Sequence, residues 1–273
     1  YNVWSPSTIG TYIYTIHIED TNGNWNKVYD AIEVIDTTPP SYSNLTESED
    51  PLELGCTEII NINVTDFSGI NQALIEFGGS NFSMSYVSGD RWQYNVWSPS
   101  TIGTYIYTIH MEDANGNWNK VTDSIEVIDT TLPEYSNLTE SADPLELGAK
   151  EIININVIDL SGINQVLIEF EGSNHSMSYI SGDRWQYADW IPSSVGTYIY
   201  TIHMEDVNGN WNQVAGSIEL LDTTPPNYSN LIESADPLEF GDTETIRVKV
   251  WDFSGIFQVL IEFADLNHSM NYL

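Results

Sequence analysis

GTYIYTIHMEDANGN, residues 103–117, decides the fold of this chain. Its large apolar side chains stand at every second position: Tyr105, Tyr107, Ile109 and Met111. This is the period of a half-buried β-strand. The Asn115-Gly116 pair that follows is a favoured hairpin turn, because the central residues of that turn need a positive φ. A second apolar run ends at Ile125 and Val127, so the stretch predicts one strand and the turn of an antiparallel hairpin.

The same module occurs several times along the chain. Tyr1–Gly10 returns unchanged as Tyr94–Gly103, an offset of 94 − 1 = 93 residues, and in altered form as Tyr187–Gly196. A unit of this length is a whole domain, since repeats that cannot bury a core alone run to roughly 20–50 residues. The chain is therefore an array of similar modules, and an array argues against catalysis.

Proline-containing linkers mark the boundaries of the modules. The string Asp-Thr-Thr-Pro-Pro at residues 36–40 returns at 222–226, and it returns as Asp-Thr-Thr-Leu-Pro at 129–133. Proline fixes φ and donates no ladder hydrogen bond, so each string should end a strand and form a short stiff linker. The predicted domains are the second half of a module at 1–38, complete modules at 39–131 and 132–224, and the first half of a module at 225–273.

Period-two alternation extends over the first complete module. Ile60, Ile62 and Val64 alternate with polar residues, and so do Met84 and Tyr86. Turn signals rich in glycine stand where the runs stop. With short strands near residues 42–45 and 92–97, the module has about seven predicted strands, which is typical of an immunoglobulin-like sandwich. The sequence predicts an all-β chain of tandem immunoglobulin-like β-sandwich domains in a linear array.

A resemblance to a known class of repeats follows from three segments. GTYIYTI at 103–109, EDANGN at 112–117 and DTTLP at 129–133 together resemble the closing half of prokaryotic immunoglobulin-like and fibronectin-type-III-like repeats of surface proteins. The resemblance covers every copy. It implies a β-sandwich in an extracellular or cell-surface protein from a bacterium or, as we expect here, an archaeon. Such modules serve in adhesins, surface layers, stalks and enzyme appendages, so the resemblance is specific for fold rather than for function.

Composition limits the partners. The chain has 7 Lys+Arg against 40 Asp+Glu, a net charge of −33, which repels nucleic acid and anionic membranes and attracts cations. Cys56 is the only cysteine, and Ala149 and Asp242 take its place in the next copies, so no disulfide framework is predicted. No apolar run approaches the ~20 residues of a spanning helix, and we expect no membrane insertion in this segment.

The junctions between modules are the predicted metal sites. In an immunoglobulin-like sandwich the loops after the second and sixth strands lie at the end where the preceding linker enters. This places two groups of residues together: Asp36, Asp66, Asp113, Asn115 and Asn117; and Asp129, Asp159, Asp206, Asn208 and Asn210. Crowded carboxylates repel unless they are protonated or bridged by a cation, and Ca²⁺ takes six to eight oxygen ligands. We expect calcium at these junctions; the alternative is a plain hairpin turn.

Other polar motifs are weaker candidates. The acidic segments Glu47 to Glu53 and Glu140 to Glu146 are interpreted as solvated loops. Sequons predict glycosylation at Asn81, Asn174, Asn267, Asn44 and Asn137. The tryptophans Trp92, Trp97 and Trp118 are interpreted as packing residues rather than sugar platforms. His17, His110 and His203 each lack a second reactive partner, and no triad, metalloenzyme motif or phosphate loop is found. The chain is not predicted to be an enzyme.

The functional prediction is a structural repeat segment of an extracellular or cell-surface filament, stalk or surface-layer-type protein. Its partners would be further copies of the module, either by continuation in a longer repeat chain or by self-association of half-modules into a linear polymer. Glycans are candidate attachments. The alternatives are an adhesin array that recognises a glycan or a protein, and accessory modules of a secreted enzyme.

Overall fold

The computed structural model describes residues 3–272, and the chain divides into two units, 1–129 and 130–273. Tyr1, Asn2 and Leu273, which the sequence assigns to the two half-modules, lie outside the described residues. Every regular element of the described part is a β-strand, so the predicted all-β class is confirmed. Between residues 3 and 272 no helix has the length and apolarity needed to cross a membrane.

The first unit contains one hairpin and one sandwich. Its described strands are β1 (Gly10–Glu19), β2 (Trp25–Val34), β3 (Ser41–Glu47), β4 (Leu52–Glu53), β5 (Glu58–Thr65), β6 (Ile70–Phe77), β7 (Ser80–Ser83), β8 (Ser85–Ser88), β9 (Arg91–Trp97), β10 (Gly103–Asp113) and β11 (Trp118–Ile128). Strands β1 and β2 pair with each other, and the sandwich has one sheet in the order β3-β5-β9-β8 and one in the order β4-β11-β10-β6-β7.

The sandwich forms because each strand is apolar on one face. In β10 the residues Tyr107, Ile109 and Met111 are at most 1% exposed, while the residues between them are half-buried. Their counterparts in the facing sheet, Ile60 and Ile62, are fully buried. The predicted alternation is therefore present, and it places the core between the two sheets.

The second unit repeats this arrangement. Its described strands are β12 (Glu134–Glu140), β13 (Leu145–Glu146), β14 (Glu151–Ile158), β15 (Ile163–Phe170), β16 (Ser173–Ser176), β17 (Ser178–Ser181), β18 (Arg184–Trp190), β19 (Gly196–Asp206), β20 (Trp211–Leu221), β21 (Asn227–Glu233), β22 (Ile246–Trp251), β23 (Leu260–Phe263) and β24 (Leu266–Ser269). The sandwich sheets are β12-β14-β18-β17 and β13-β20-β19-β15-β16, and β21-β22 and β23-β24 form separate pairs. Tandem immunoglobulin-like β-sandwich architecture is thus confirmed.

Each complete module has nine described strands rather than about seven, for two reasons. The predicted strand through Met84 and Tyr86 is broken at Met84, because β7 pairs with β6 in one sheet while β8 pairs with β9 in the other. Met84 stays buried, whereas Tyr86 is 59% exposed because β8 is the edge strand of its sheet, although its register with Trp92 and Ile62 places it on the inward face. The short strand β4 also pairs in parallel with β11 through Leu52, whereas only antiparallel strands were expected.

The half-modules keep their hairpins without a covered core. Ile16 and Ile18 in β1 are 49% and 53% exposed. Their counterparts in the complete module, Ile109 and Met111, are fully buried. The hairpin has the same register in both copies, and among the described residues β1 and β2 pair only with each other.

Candidate metal centre

Three aspartates meet where the first linker enters the first complete module. Asp36 lies in the linker after β2, Asp66 follows β5, and Asp113 ends β10. One carboxylate oxygen of each lies within 4.8 Å of the others. Asp113 is 1% exposed, and the other two are half-buried. The structure therefore brings together the three carboxylates that the topology predicted.

The hairpin turn after β10 orients Asp113. The backbone N–H groups of Asn115 and Asn117 each donate to Asp113 Oδ1 at 2.8 Å, and Asn117 Nδ2 donates to Oδ2 at 2.7 Å. Gly116 has a φ of 87°, which closes the turn at little steric cost. Burial raises the pKa of the Asp113 carboxyl, but these hydrogen bonds outweigh it and hold that pKa below its ordinary value.

Local donors also fix the other two carboxylates. Asp66 Oδ1 accepts from the backbone N–H and the hydroxyl of Ser68 at 2.8 and 2.6 Å. Asp36 Oδ1 accepts from the backbone N–H of Thr38 at 3.0 Å. This N–H, followed by the Ser68 hydroxyl, lowers the pKa of Asp36. Asp36 and Asp113 are therefore ionised at neutral pH.

Asn115 and Asn117 face this carboxylate group with their amide nitrogens. Asn115 Nδ2 lies 3.4 Å from Asp36 Oδ2, and Asn117 Nδ2 donates to the Asp36 backbone carbonyl at 3.2 Å. In this orientation they act as donors that position the carboxylates. The oxygen ligands available to a cation are then those of Asp36, Asp66 and Asp113.

The charge of the group has no basic counterpart. The ion pairs of the described residues join His110 to Glu76, Lys150 to Asp189 and His203 to Glu169, and none of them involves the three aspartates. Carboxylates this close repel one another in the absence of a counter-charge. An all-oxygen set of this kind suits a hard divalent cation such as Ca²⁺, whose remaining positions water would fill.

The same turn recurs in the second unit. Asp206 is fully buried and accepts from the backbone N–H groups of Asn208 and Asn210 at 2.8 Å. Asp159 Oδ1 accepts from the Ser161 N–H at 2.8 Å. Asp129, the remaining predicted carboxylate, is the last residue of the first unit.

A further pair, Asp222 and Asp252, was missed by the sequence analysis. Asp252 Oδ1 accepts from the Ser254 hydroxyl and backbone N–H at 2.6 and 2.9 Å, and these hydrogen bonds lower the pKa of Asp252, which Asp222 also influences. Both residues belong to the second unit. The repeat period could have found them, since they stand one module after Asp129 and Asp159.

Glu146 anchors the linker that leaves the second complete module. Its carboxylate accepts from the backbone N–H groups of Thr223 and Thr224 at 2.9 and 3.1 Å and from their hydroxyls at 2.8 and 2.7 Å. The Thr224 hydroxyl contributes most, and together these donors lower the pKa of Glu146 to about 2. The predicted place of Glu146 in a solvated loop was wrong, because four donors 77 or 78 residues away in sequence bind its carboxylate.

The rest of that acidic segment is also structural. Tyr200 donates its hydroxyl hydrogen bond to Glu140, and Asp143 Oδ1 accepts from the Glu219 N–H at 2.9 Å. The first complete module repeats both contacts, with Tyr107 donating to Glu47 and the Glu126 N–H donating to Asp50 at 2.9 Å. In the first module these acids connect the segment before β5 to β10 and β11 of the other sheet. In the second module they connect the segment before β14 to β19 and β20.

The predicted glycosylation positions lie on the surface. Asn81, Asn174 and Asn267 are exposed in β7, β16 and β24. Asn44 and Asn137 are exposed with φ angles of 51° and 53°. An exposed asparagine meets the steric requirement for a glycan, and glycosylation stays a prediction.

Trp92, Trp97, His110 and His203 have structural partners, whereas Trp118 is 46% exposed. Trp97 stacks on Phe77 with ring centroids 4.7 Å apart, as the packing interpretation expected. His110 Nε2 lies 2.8 Å from Glu76 Oε2 on the neighbouring strand. This single carboxylate contact gives His110 no nucleophile to activate.

Comparison with known proteins gives fold relatives of low similarity. No protein-family model and no curated protein matches the chain. Among solved structures, a chimeric titin Z1Z2-Z1Z2 tandem is 15% identical, with 68% of this chain and 100% of that chain covered and a TM-score of 0.28. The fibronectin(III)-like modules of Clostridium thermocellum CbhA are 16% identical over 66% of this chain and 94% of theirs, with a TM-score of 0.27. A 1.5-MDa bacterial ice-binding adhesin is 13% identical over 78% of this chain and 74% of that chain, with a TM-score of 0.31.

Proposed function

We propose that this chain is a structural repeat segment of an extracellular or cell-surface filament, stalk or surface-layer-type protein of a prokaryote. Its modules would act as spacers whose linkers are held stiff, with Ca²⁺ at the junctions. The observation that carries the proposal is the position of Asp36. This linker residue shares a group of three carboxylates with two loops of the module that follows it.

Further contacts between linkers and modules support a spacer role. In the first unit Asn119 Nδ2 donates to the Pro40 carbonyl at 2.7 Å, and in the second unit Asn212 Nδ2 donates to the Pro133 carbonyl at 2.8 Å. Glu146 holds the linker that leaves its module. The Phe253 ring lies against Gly148, where an added Cβ would meet its carbons at 3.1 Å. A linker fixed at its entry and its exit transmits force and keeps spacing better than a free one.

The calcium part of the proposal predicts a thermal shift. Extracellular modules bind Ca²⁺ with dissociation constants of roughly 10⁻⁴–10⁻³ M. With ~10 mM CaCl₂ after removal of metal by EDTA, we expect the melting temperature to rise by about 5–10 °C. Asp66→Asn should abolish most of this rise in the first complete module, because it removes one of the three charged ligands there. Calorimetry in both conditions makes the measurement.

The matched control is Asp123→Asn, which makes the same change of charge at an exposed position of β11. It should keep the full calcium shift. An equal shift in both variants would show that calcium acts only by screening the net charge of the chain. No shift in the unsubstituted chain would remove calcium from the proposal and leave the spacer role to the direct linker contacts.

The cellular part predicts where the protein is found. Electron microscopy of producing cells, labelled with gold-conjugated antibody against this chain, should show label along a regular fibre, stalk or surface lattice. Label scattered over the surface without a regular structure would favour the adhesin alternative. Label confined to the cell interior would contradict both.

A further inference from the structure

Each complete module has a cleft beside the carboxylate group that contains both aromatic and acidic side chains, and in the first module the cleft shares Asp66 with that group. In the first module the cleft has a volume of about 420 Å³ and lies beside the loop after β5 and the turn between β8 and β9. Its chemically distinctive lining residues are Asp66, Tyr86, Asp90 and Trp92. A cleft of this size accommodates a small organic group.

Two aromatic rings form one side of the cleft. Tyr86 and Trp92 face each other across β8 and β9, with ring centroids 5.7 Å apart and an interplanar angle of 67°. Tyr86 is 59% exposed because β8 is the edge strand of its sheet, although its register with Trp92 and Ile62 places it on the same face as the core. The Tyr86 ring beside Trp92 is therefore accessible to a ligand.

The charge of the cleft is negative. Asp66 is half-buried and Asp90 is exposed, and the lining contains no lysine, arginine or histidine. Arg91, the neighbour of Asp90, directs its guanidinium to Asn61 Oδ1, with Nη2 at 2.7 Å and Nε at 3.0 Å. Arg91 is therefore engaged with Asn61, and the ion pairs of the described residues include neither of the two carboxylates.

The second module has the same cleft. Asp159, Tyr179, Asp183 and Trp185 line a volume of about 370 Å³, and the two rings are 5.6 Å apart at 68°. Arg184 directs Nε to Asn154 Oδ1 at 3.2 Å, as Arg91 does to Asn61. The two equivalent clefts of the described residues set the stoichiometry that a ligand should show.

We propose that each cleft binds an organic cation, an alkylammonium or guanidinium group. Aromatic faces attract such cations through the ring quadrupole, and carboxylates accept their N–H groups in charge-assisted hydrogen bonds. A neutral sugar could stack on the aromatic rings, but it would gain no electrostatic attraction from the two carboxylates. The cation comes either from a free amine or from a lysine or arginine side chain of another protein, and the two share this chemistry.

The test is an NMR titration of the full ¹⁵N-labelled chain in EDTA, which keeps calcium away from Asp66. The probes are n-butylammonium chloride, Nα-acetyl-lysine methylamide and, as a neutral isostere, n-butanol. We expect butylammonium to shift the indole N–H resonances of Trp92 and Trp185 with a dissociation constant of about 10⁻³ M and two equivalents bound. Binding should weaken several-fold between 20 and 500 mM NaCl, because screening reduces the attraction between charges.

Variants separate the contribution of the aromatic rings to cation binding from that of the carboxylates. Trp92→Ala with Trp185→Ala, and separately Asp90→Asn with Asp183→Asn, should each weaken butylammonium binding at least about tenfold. The control is Trp118→Ala with Trp211→Ala, since those tryptophans are 46% and 44% exposed and lie outside the clefts. The control should bind as the unsubstituted chain does. Circular dichroism confirms that each variant is folded.

Three outcomes would overturn the proposal: butanol binding as tightly as butylammonium, binding that persists in both cleft variants, or no shift at the two indoles. The lysine derivative decides the source of the cation. Affinity equal to that of butylammonium means that a protein side chain fits, and tenfold weaker affinity means that the cleft takes free amines. Both results support the cation site, and neither depends on the spacer role proposed above.

Discussion

Replacing Ile109 by alanine is expected to destabilise the first complete module by about 2–5 kcal/mol. Ile109 is fully buried at the centre of β10, between Ile75 of β6 and Val121 of β11. The substitution removes three carbon atoms, and the two flanking strands prevent the sheet from closing on the cavity. We therefore expect the melting temperature of this module to fall by at least about 10 °C.

The matched control lies on the same strand. Ile106 is 67% exposed, so Ile106→Ala should change stability by no more than about 0.5 kcal/mol. Urea unfolding of the full chain, followed by hydrogen exchange of peptides that distinguish the two modules, measures both variants. Equal effects of the two substitutions would contradict the placement of the core. Loss of protection in the second module alone would contradict the assignment of Ile109 to the first.

Local alternation was sufficient to predict most of the sandwich. The spacing of Ile60, Ile62 and Val64 predicted a strand with one buried face, and all three are at most 2% exposed. The break at Met84 could not be predicted, because the Ser-Met-Ser-Tyr pattern is the same whether the strand continues in one sheet or passes to the other. Strand β4 was missed because its two residues are too few to show a period.

The candidate metal centre was predicted for a different reason. Asp36, Asp66 and Asp113 were placed together by the topology of the sandwich, which fixes where loops meet without reference to their side chains. The direction of the Asn115 and Asn117 amides depends on individual hydrogen bonds, so it needed coordinates. The role of Glu146 was hidden in the same way, since its partners Thr223 and Thr224 are distant in sequence.

Replacing Asp113 by alanine is expected to lower the melting temperature of the first complete module by about 5 °C or more, measured at pH 7 in EDTA. The change removes the acceptor for the Asn115 and Asn117 N–H groups and for the Asn117 side chain. Donors left without a partner at a buried position are costly. Asp113→Asn keeps one acceptor oxygen, so its melting temperature should lie between those of the unsubstituted chain and Asp113→Ala. If repulsion from Asp36 and Asp66 dominated instead, both variants would be more stable than the unsubstituted chain.

The pH dependence of this difference follows from the lowered pKa of Asp113. A carboxyl whose pKa is lower in the folded state stabilises the fold above its unfolded value, about 3.9, and loses that contribution as the pH falls through the folded value. The gap in melting temperature between the unsubstituted chain and Asp113→Ala should therefore be constant from pH 7 to 5 and shrink below about pH 4. Carboxylates distant from Asp113 titrate in the same way in both proteins and cancel in the difference, which therefore reports Asp113 together with its charge interaction with Asp36. A gap that widens on acidification would mean that the Asp113 carboxyl is favoured in its protonated form, and the turn would then be a poor ligand for a cation.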